Sequence, residues 1–398
     1  NNTYSLLGTA YNSFPSFATA AAVSYSRASA EVAWRRRITD SMGQIWEPFV
    51  SVRGDVTYTR LKDDSQVLGS FDRLASDNRS YTRLMPTVGM TYRYPWIAVS
   101  EYGTTTVEPI VQFIARPNET NIGRIPNEDA QSLVFDDTNL FQANKFSGWD
   151  RVEGGGRLNY GINLTHRFFN GSSINVLFGQ SRHLFGINSF AYGDPAVVGT
   201  AVDMASVGAN SGLDKPRSDY VARLAYQMNS NFRVSVRGRF DERTFALQRG
   251  EIDATGRVGA FAFTGIYGYL ASQPVLGYQV PRSSIGAAMS YTVSQNWSVY
   301  GAARFAFERQ NIIANYTNGL SLTERNKLEG LTLGLNYLDD AMQLGFYYSR
   351  DFSGEVALVN NVVTTRDIHR FMFRFNLRTI GEIAVSQNVS SWFGTPMQ

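Results

Sequence analysis

At 398 residues, with a mean hydropathy of -0.22 and no apolar run near the ~18 residues a spanning helix requires, the chain cannot be a helical membrane protein. Its charge is close to balance, 37 basic against 34 acidic residues, which argues against a nucleic-acid partner. An aromatic content of 13% leaves a soluble all-β sandwich or propeller and an outer-membrane barrel as the candidates, and the absence of cysteine fits an envelope protein without deciding the compartment.

The chain opens on Asn1-Asn2, with neither Met nor a basic-then-apolar leader, which predicts a mature or truncated segment. Residues 16–25 and 30–38 predict a weak first pair of strands. Residues 45–59 alternate clearly, Trp46, Val50, Val52, Val56 and Tyr58 against Glu47, Ser51, Arg53, Asp55 and Thr57. A polar loop over 60–80 follows, then a strand over 82–94 with Leu84, Val88, Met90, Tyr92 and Tyr94 opposite Arg83, Thr87, Thr91 and Arg93. Tyr94-Pro95-Trp96 predicts a tight turn carrying interfacial aromatics, and the next strand climbs to Ala115 with Glu108 and Gln112 opposite Val107, Val111 and Phe113.

Residues 125–162 are the organising stretch. An Asn/Asp-rich loop, too irregular for helix or strand, passes without a break into a strand whose Arg151, Glu153, Arg157, Asn159, Asn163 and Thr165 oppose Val152, Leu158, Tyr160, Ile162 and Leu164. A long ordered loop feeding a two-faced strand predicts a barrel whose loop folds back into its own lumen. Gly154-Gly155-Gly156 then lies inside a strand with no helix after it, where glycines permit bending or close approach and a phosphate loop is not expected.

A strand over 173–181 and a long loop over about 183–217 precede strands at 218–228 and 231–240, which join at Asn229-Ser230-Asn231. Two more are predicted at 244–251 and 257–270, a pair at 284–293 and 297–307 around Ser294-Gln295-Asn296, and a pair at 327–337 and 341–350 around Asp339-Asp340. The last is placed at 365–378, with Phe371, Phe373, Phe375 and Leu377 against Arg370, Arg374, Asn376 and Arg378, and 379–398 is expected to be a periplasmic tail.

Periodicity decides between the two classes. About sixteen strands, many long enough to cross a bilayer, with short turns tending to alternate with long loops, predict an all-β, transmembrane antiparallel barrel of the outer-membrane type. Its polar face would carry Arg53, Arg83, Arg93, Arg151, Arg157, Arg223, Arg233, Arg237, Arg304, Arg370 and Arg374 with Glu47, Asp55, Glu108, Glu153, Asp219 and Glu308. Enzyme signals are poor. His166, His183 and His369 lack metal-ligand spacing, His166 reads as interfacial, and no serine sits in a nucleophile elbow, so no catalytic, cofactor or metal residue is expected.

Three blocks then carry a resemblance: Pro126-Asn127-Glu128-Asp129, the run 135–141 with Asp136, Asp137 and Asn139, and the run 144–151 with Asn144, Gly148 and Asp150. With Pro109 to Gln112 and Gly179-Gln180-Ser181 they resemble the LPS-assembly outer-membrane protein family, LptD. The resemblance implies the carboxy-terminal part of a barrel of about 26 strands in the outer membrane of a Gram-negative bacterium. It implies lipopolysaccharide as substrate, a plugging outer-membrane lipoprotein (LptE-like) and a periplasmic LPS-bridge protein (LptA-like) as partners, and membrane lipids around the wall. It also implies a lateral gate between first and last strands, for which Arg370, Phe371, Phe373, Arg374, Phe375 and Asn376 are the gate-strand residues here. One feature departs from the family, whose cysteine or cysteine pair is replaced here by Leu338-Asp339-Asp340-Ala341.

Physics agrees with a lateral exit. A wet lumen can pass sugar and phosphate, but acyl chains in water cost ~25 cal/mol per Å², so the lipid leaves sideways through weakly paired strands. Two alternatives stay open: a general diffusion porin of about sixteen strands, and an outer-membrane hydrolase built from scattered Asp, His and Ser.

Overall fold

The structure, a computed structural model, describes residues 8–10, 23–61, 79–119, 121, 125, 129–130, 133–191, 208, 210–274, 278–312, 321–359, 362–377 and 381–388. Every element among them is a strand: β1 (Gly8–Ala10), β2 (Val23–Arg35), β3 (Ile38–Thr39), β4 (Ile45–Leu61), β5 (Arg79–Arg93), β6 (Trp96–Ser100), β7 (Gly103–Ala115), β8 (Gly156–Phe168), β9 (Ser173–Phe185), β10 (Arg217–Asn229), β11 (Phe232–Phe240), β12 (Leu247–Val258), β13 (Phe261–Leu270), β14 (Arg282–Thr292), β15 (Trp297–Ile312), β16 (Ser321–Leu338), β17 (Met342–Val359), β18 (Val362–Leu377) and β19 (Gly381–Asn388). Backbone contacts divide the chain into two units. Unit 1 is Asn1–Leu224, Arg237–Gln248 and Gln273–Tyr278, and unit 2 is Ala225–Val236, Arg249–Ser272 and Gln279–Gln398.

In unit 1 the antiparallel ladder runs β2–β4–β5 and on through β7, β8 and β9, with partners such as Arg53↔Met85 and Tyr160↔Gln180. The alternation seen in the sequence sorts the side chains of each strand. On β4, Val50, Val52 and Val56 are exposed while Arg53, Asp55 and Thr57 are buried. On β5, Leu84 and Val88 are exposed while Arg83, Met85 and Thr87 are buried. Regular apolar stripes facing outward are stable only where the surrounding medium is hydrocarbon. Rings collect at the ends near short connections, as where Trp46 packs on Tyr92 at 4.5 Å, in the manner of an interfacial girdle.

Unit 2 shows the same sorting. Leu333, Leu335, Phe346, Phe371 and Phe373 are all exposed, although they are large and apolar, and β16, β17, β18 and β19 pair in sequence order. Trp297 packs on Tyr337 at 5.0 Å beside the turn at Asp339-Asp340.

An outward-facing position therefore should not tolerate charge. Leu84→Arg, at a site 68% exposed, is expected to lower unfolding stability in a bilayer by about 2–4 kcal/mol. A urea midpoint equal to that of the parent protein would remove the assignment of this face to hydrocarbon.

Several expected boundaries move. The weak first pair becomes the single strand β2, and 16–22 lie outside the described residues. Tyr94-Pro95-Trp96 is not a turn: Arg93 faces Ile110 and Trp96 faces Val107, so the pairing passes through Tyr94 and Pro95 without slipping a residue. Proline removes one ladder donor and leaves the line of the strand intact. Reversal comes instead at Glu101 and Tyr102, between the paired Ser100 and Gly103. With β5 and β6 taken as one strand, and the three-residue β1 and two-residue β3 set aside, sixteen remain among the described residues, as the periodicity predicts.

The boundary within 244–270 falls at Gly259-Ala260, between β12 and β13. The described residues between strands at 116–155 and 186–216 belong to long loops, of which 120, 122–124, 126–128, 131–132, 192–207 and 209 lie outside the described residues, as does all of 62–78 in the third expected loop. The expected tail holds β19, which pairs with β18 from Arg370↔Asn388 to Leu377↔Gly381. Its sequence, GEIAVSQN, holds a single charge, so no charged face marks the alternation. The 365–378 strand is thus flanked on both sides and is not the last.

The largest departure is at the organising stretch. Residues 151–155 are not strand, and β8 begins only at Gly156. Gly155 has φ +74, a left-handed conformation that favours glycine, and its N–H and C=O bond to Pro117 and Arg116 across the loop. The glycine triplet is a kink between loop and wall, which a strict period-two reading passes over.

Candidate functional site

Unit 1 holds a loop, 116–155, laid across the polar face of its own strands. The contact has an apolar centre in which Ala130, Phe135, Leu140 and Phe146 from the loop meet Leu177 of β9, Val221 of β10, and Phe190 and Leu213 from the 186–216 loop. Phe135, Leu140, Leu213 and Val221 are completely buried. Residues of this size would be unfavourable in a wet lumen, and together they supply the hydrophobic part of the docking.

Charges from the wall surround that centre and end on the loop. Arg83, buried, donates to Asp55 at 2.8 Å, to Glu119 at 3.1 Å, and to the backbone oxygens of Asp150 and Trp149 at 2.9 and 3.0 Å. Arg53 forks onto Asp55 at 2.9 and 3.0 Å, bonds the Trp149 oxygen, and lies over the Trp149 ring at 4.5 Å. Arg27 of β2 pairs with Asp150 and, at 3.4 Å, with Asp129. The Asp129 carboxylate accepts the backbone N–H of Trp149 and Asp150 at 2.7 and 2.9 Å, and Asp150 accepts the Asp129 N–H at 3.1 Å. Loop and wall thus share one network of charge-assisted bonds.

A second cluster forms where the loop returns to β8. Glu153 accepts the Lys145 N–H at 2.7 Å, pairs with Arg157 at 3.2 Å, and its own N–H goes to Asn144 at 3.1 Å. Arg157 reaches Ser181 and Asn188, and lies 4.9 Å over the Phe190 ring. Burial drives the Lys145 ammonium down to about 8, with Glu153 opposing it. Burial alone would raise Glu153, but Lys145, Arg157 and Arg116 outweigh it and hold the carboxyl below its ordinary range. Farther along, Asp137 receives Arg223 at 2.8 Å and Arg237 at 3.6 Å, while burial keeps its carboxyl above the usual value.

The predicted loop residues are therefore brought together. Asp129, Asp137, Asn144 and Asp150 contact wall or loop return, and Gly148, at φ +64, packs on the Asp129 carboxylate. Asp136 and Asn139 only shape a local turn, bonding Thr138 and Val134. Pro126, Asn127 and Glu128 lie outside the described residues. Arg151 bonds the Ile125 oxygen at 2.9 Å, and Asn159 joins Gln112 at 2.8 Å and Ser181 at 2.6 Å. The charges expected to line open water in this unit, Arg53, Arg83, Arg151, Arg157 and Glu153, are buried against the loop.

In unit 2 the predicted gate residues lie on β18, Phe371 and Phe373 on the exposed apolar face and Arg370 exposed on the other, with Arg374, Phe375 and Asn376 half-buried. Arg233 and Arg304 are exposed as well, Arg304 on Glu329 at 2.8 Å. Sequence reading missed Arg27, Arg116 and Glu119, and gave no role to Lys145 within the run 144–151. Arg27 fell in the gap drawn between two strands that are one, and Arg116 and Glu119 belong to irregular loop backbone. His166, His183 and His369 stand apart, on Thr105, the Gly186 oxygen and Tyr348 respectively.

The family model for LPS transport system D, LptD, matches residues 1–297. The chain belongs to the LptD family. It is 25% identical over 370 residues to the LPS-assembly protein LptD of Vibrio cholerae, a match covering 84% of this chain and 42% of that protein, so this LptD-family chain spans about two-fifths of the relative's length. Among solved structures it is similar to the FrpB iron transporter of Neisseria meningitidis (TM-score 0.43, 10% identity, 92% of this chain and 59% of that one). It is also similar to a mutant porin of Rhodopseudomonas blastica (TM-score 0.31, 10% identity, 77% and 86%). Membership of the LptD family places the chain in the bacterial outer membrane, as an all-β barrel protein.

Proposed function

We propose that this chain is part of the wall and the internal plug of an outer-membrane translocon that delivers lipopolysaccharide to the outer leaflet. The observation that carries the reading, beside family membership, is the loop 116–155 held on the polar face by Arg27, Arg53 and Arg83. A transporter of so large an amphiphile needs a wide barrel, and a wide barrel needs a plug to keep the membrane tight. An ionic attachment suits a plug that must hold at rest and can exchange partners during passage.

In this reading the sugar and phosphate part crosses a polar lumen formed with strands beyond this chain, in a barrel of about 26 strands, while the acyl chains leave through a lateral gate. The gate lies at a seam between first and last strands, for which β19, rather than β18, is the carboxy-terminal candidate here. Partners are a plugging lipoprotein and a periplasmic bridge protein that supplies substrate. A diffusion porin of about sixteen strands agrees with the strand count and would also carry a constricting loop with opposed charges, and it is family membership that favours the translocon.

Depletion of the protein should lower surface lipopolysaccharide several-fold and raise sensitivity to bulky antibiotics, read by surface labelling and growth inhibition. Normal surface lipopolysaccharide in depleted cells would defeat the proposal, and ion conduction by the purified chain without a partner would favour the porin.

A further inference from the structure

The outward face of β8, β9 and β10, opposite the docked loop, carries an apolar stripe that ends in a pair of cations. Phe178 stacks on Tyr220 at 5.4 Å and 15°, and Tyr220 on Phe245 at 4.9 Å and 25°. Phe178, Phe245, Ile162 and Leu184 are all exposed. Phe245 holds φ +57, rare for a bulky side chain, in the 241–246 connection that carries it onto Tyr220.

At the end of the strands that leads into the 186–216 loop, the stripe meets Arg182 and Arg217, both exposed. The bond from His183 N to Pro216 O, 2.8 Å, sets Arg182 beside Arg217 on the neighbouring strand. Below the pair the Tyr160 hydroxyl bonds Gln180, and Gln180 is fixed by its 2.7 Å bond to the Ser218 oxygen. Among the described residues no carboxylate forms an ion pair with either arginine. Like charges side by side repel, and an anion between them removes that repulsion.

Long connections mark the outer side of such barrels, so this pair sits at the head-group level of the outer leaflet. We propose that Arg182 and Arg217 bind the phosphate-bearing head of a lipopolysaccharide molecule resident in that leaflet, its acyl chains lying along Phe178, Tyr220 and Phe245. Paired guanidiniums suit a phosphate through parallel N–H donors, and exposed rings suit hydrocarbon. The site is on the outer wall and its occupant comes from the membrane, so it stands whether or not the chain transports lipid.

The test is photo-crosslinking from Leu184→p-benzoylphenylalanine in the full-length protein, in vesicles containing both bisphosphorylated lipid A and phosphatidylglycerol. An adduct with lipid A is expected, falling roughly tenfold in Arg182→Ala/Arg217→Ala and retained in Arg182→Lys/Arg217→Lys. Equal yield in the alanine pair, equal yield with dephosphorylated lipid A, or a predominant phosphatidylglycerol adduct would each overturn the proposal. Should the alanine pair lose heat-modifiable migration, Arg182→Gln alone is read with the same probe, and an undiminished adduct there counts against the site.

Discussion

Arg83→Met should loosen the 116–155 loop while leaving the strand that carries residue 83 in place. The methionine keeps most of the stem's volume but removes donors to Asp55, Glu119 and two loop backbone oxygens. Asp55 retains Arg53, whereas the Glu119 carboxylate is left with the Asn121 N–H at 2.7 Å. Removing one member of a buried ion pair costs about 3–5 kcal/mol, because the partner's charge stays buried without compensation. Most of that cost should fall on loop docking, since the backbone ladder of β5 to β4 and β7 is untouched. Limited trypsinolysis is the measurement: cleavage at Lys145 or Arg151, both buried when the loop is seated, should appear in Arg83→Met and be absent from the parent. Arg83→Lys should recover only part of the protection, because one ammonium cannot reach carboxylates and carbonyls together. Unchanged resistance to trypsin would mean that the apolar centre alone seats the loop.

How far the sequence reveals this arrangement depends on whether a residue's role follows from its own strand. Val52 beside Arg53, or Leu84 beside Arg83, shows its face by alternation alone, because a strand in a barrel wall has one hydrocarbon side and one polar side. What the polar side touches is not periodic. Arg53 and Arg83 look like the lining of a water channel until Trp149 and Asp150, more than sixty residues away, occupy the space in front of them. Pro95 was legible as a chain breaker but not as an in-register strand position, since only the partner strand β7 shows that no residue is lost. Gly155 looked like strand because flanking residues alternate, while its backbone is bent to let the loop return. Asp129 and Asp150 stood out through their family block, yet their mutual bonding is a property of the folded loop.

Gly179→Val sets strand propensity against packing and so gives a decisive sign. Valine is favoured in strands, and on local grounds the substitution should be neutral or stabilising. Gly179, however, lies opposite Gly161 on β8, and the two leave bare backbone on which the loop rests. A Cβ at 179 would meet the Leu140 side chain at 2.5 Å and the Tyr160 oxygen at 2.6 Å, and Leu140 is completely buried. Neither the ladder oxygen nor a side chain enclosed by Phe135, Phe146 and Leu177 has room to withdraw, so overpacking should cost about 1–3 kcal/mol or unseat the loop. Gly265→Val on β13 is the matched control, because a Cβ there meets nothing within 4 Å, and it should be neutral or slightly stabilising. Denaturant midpoints and trypsin protection of the two variants separate the effects. If Gly179→Val behaves like Gly265→Val, Leu140 does not rest against β9 and the docked loop is not the resting state of this wall.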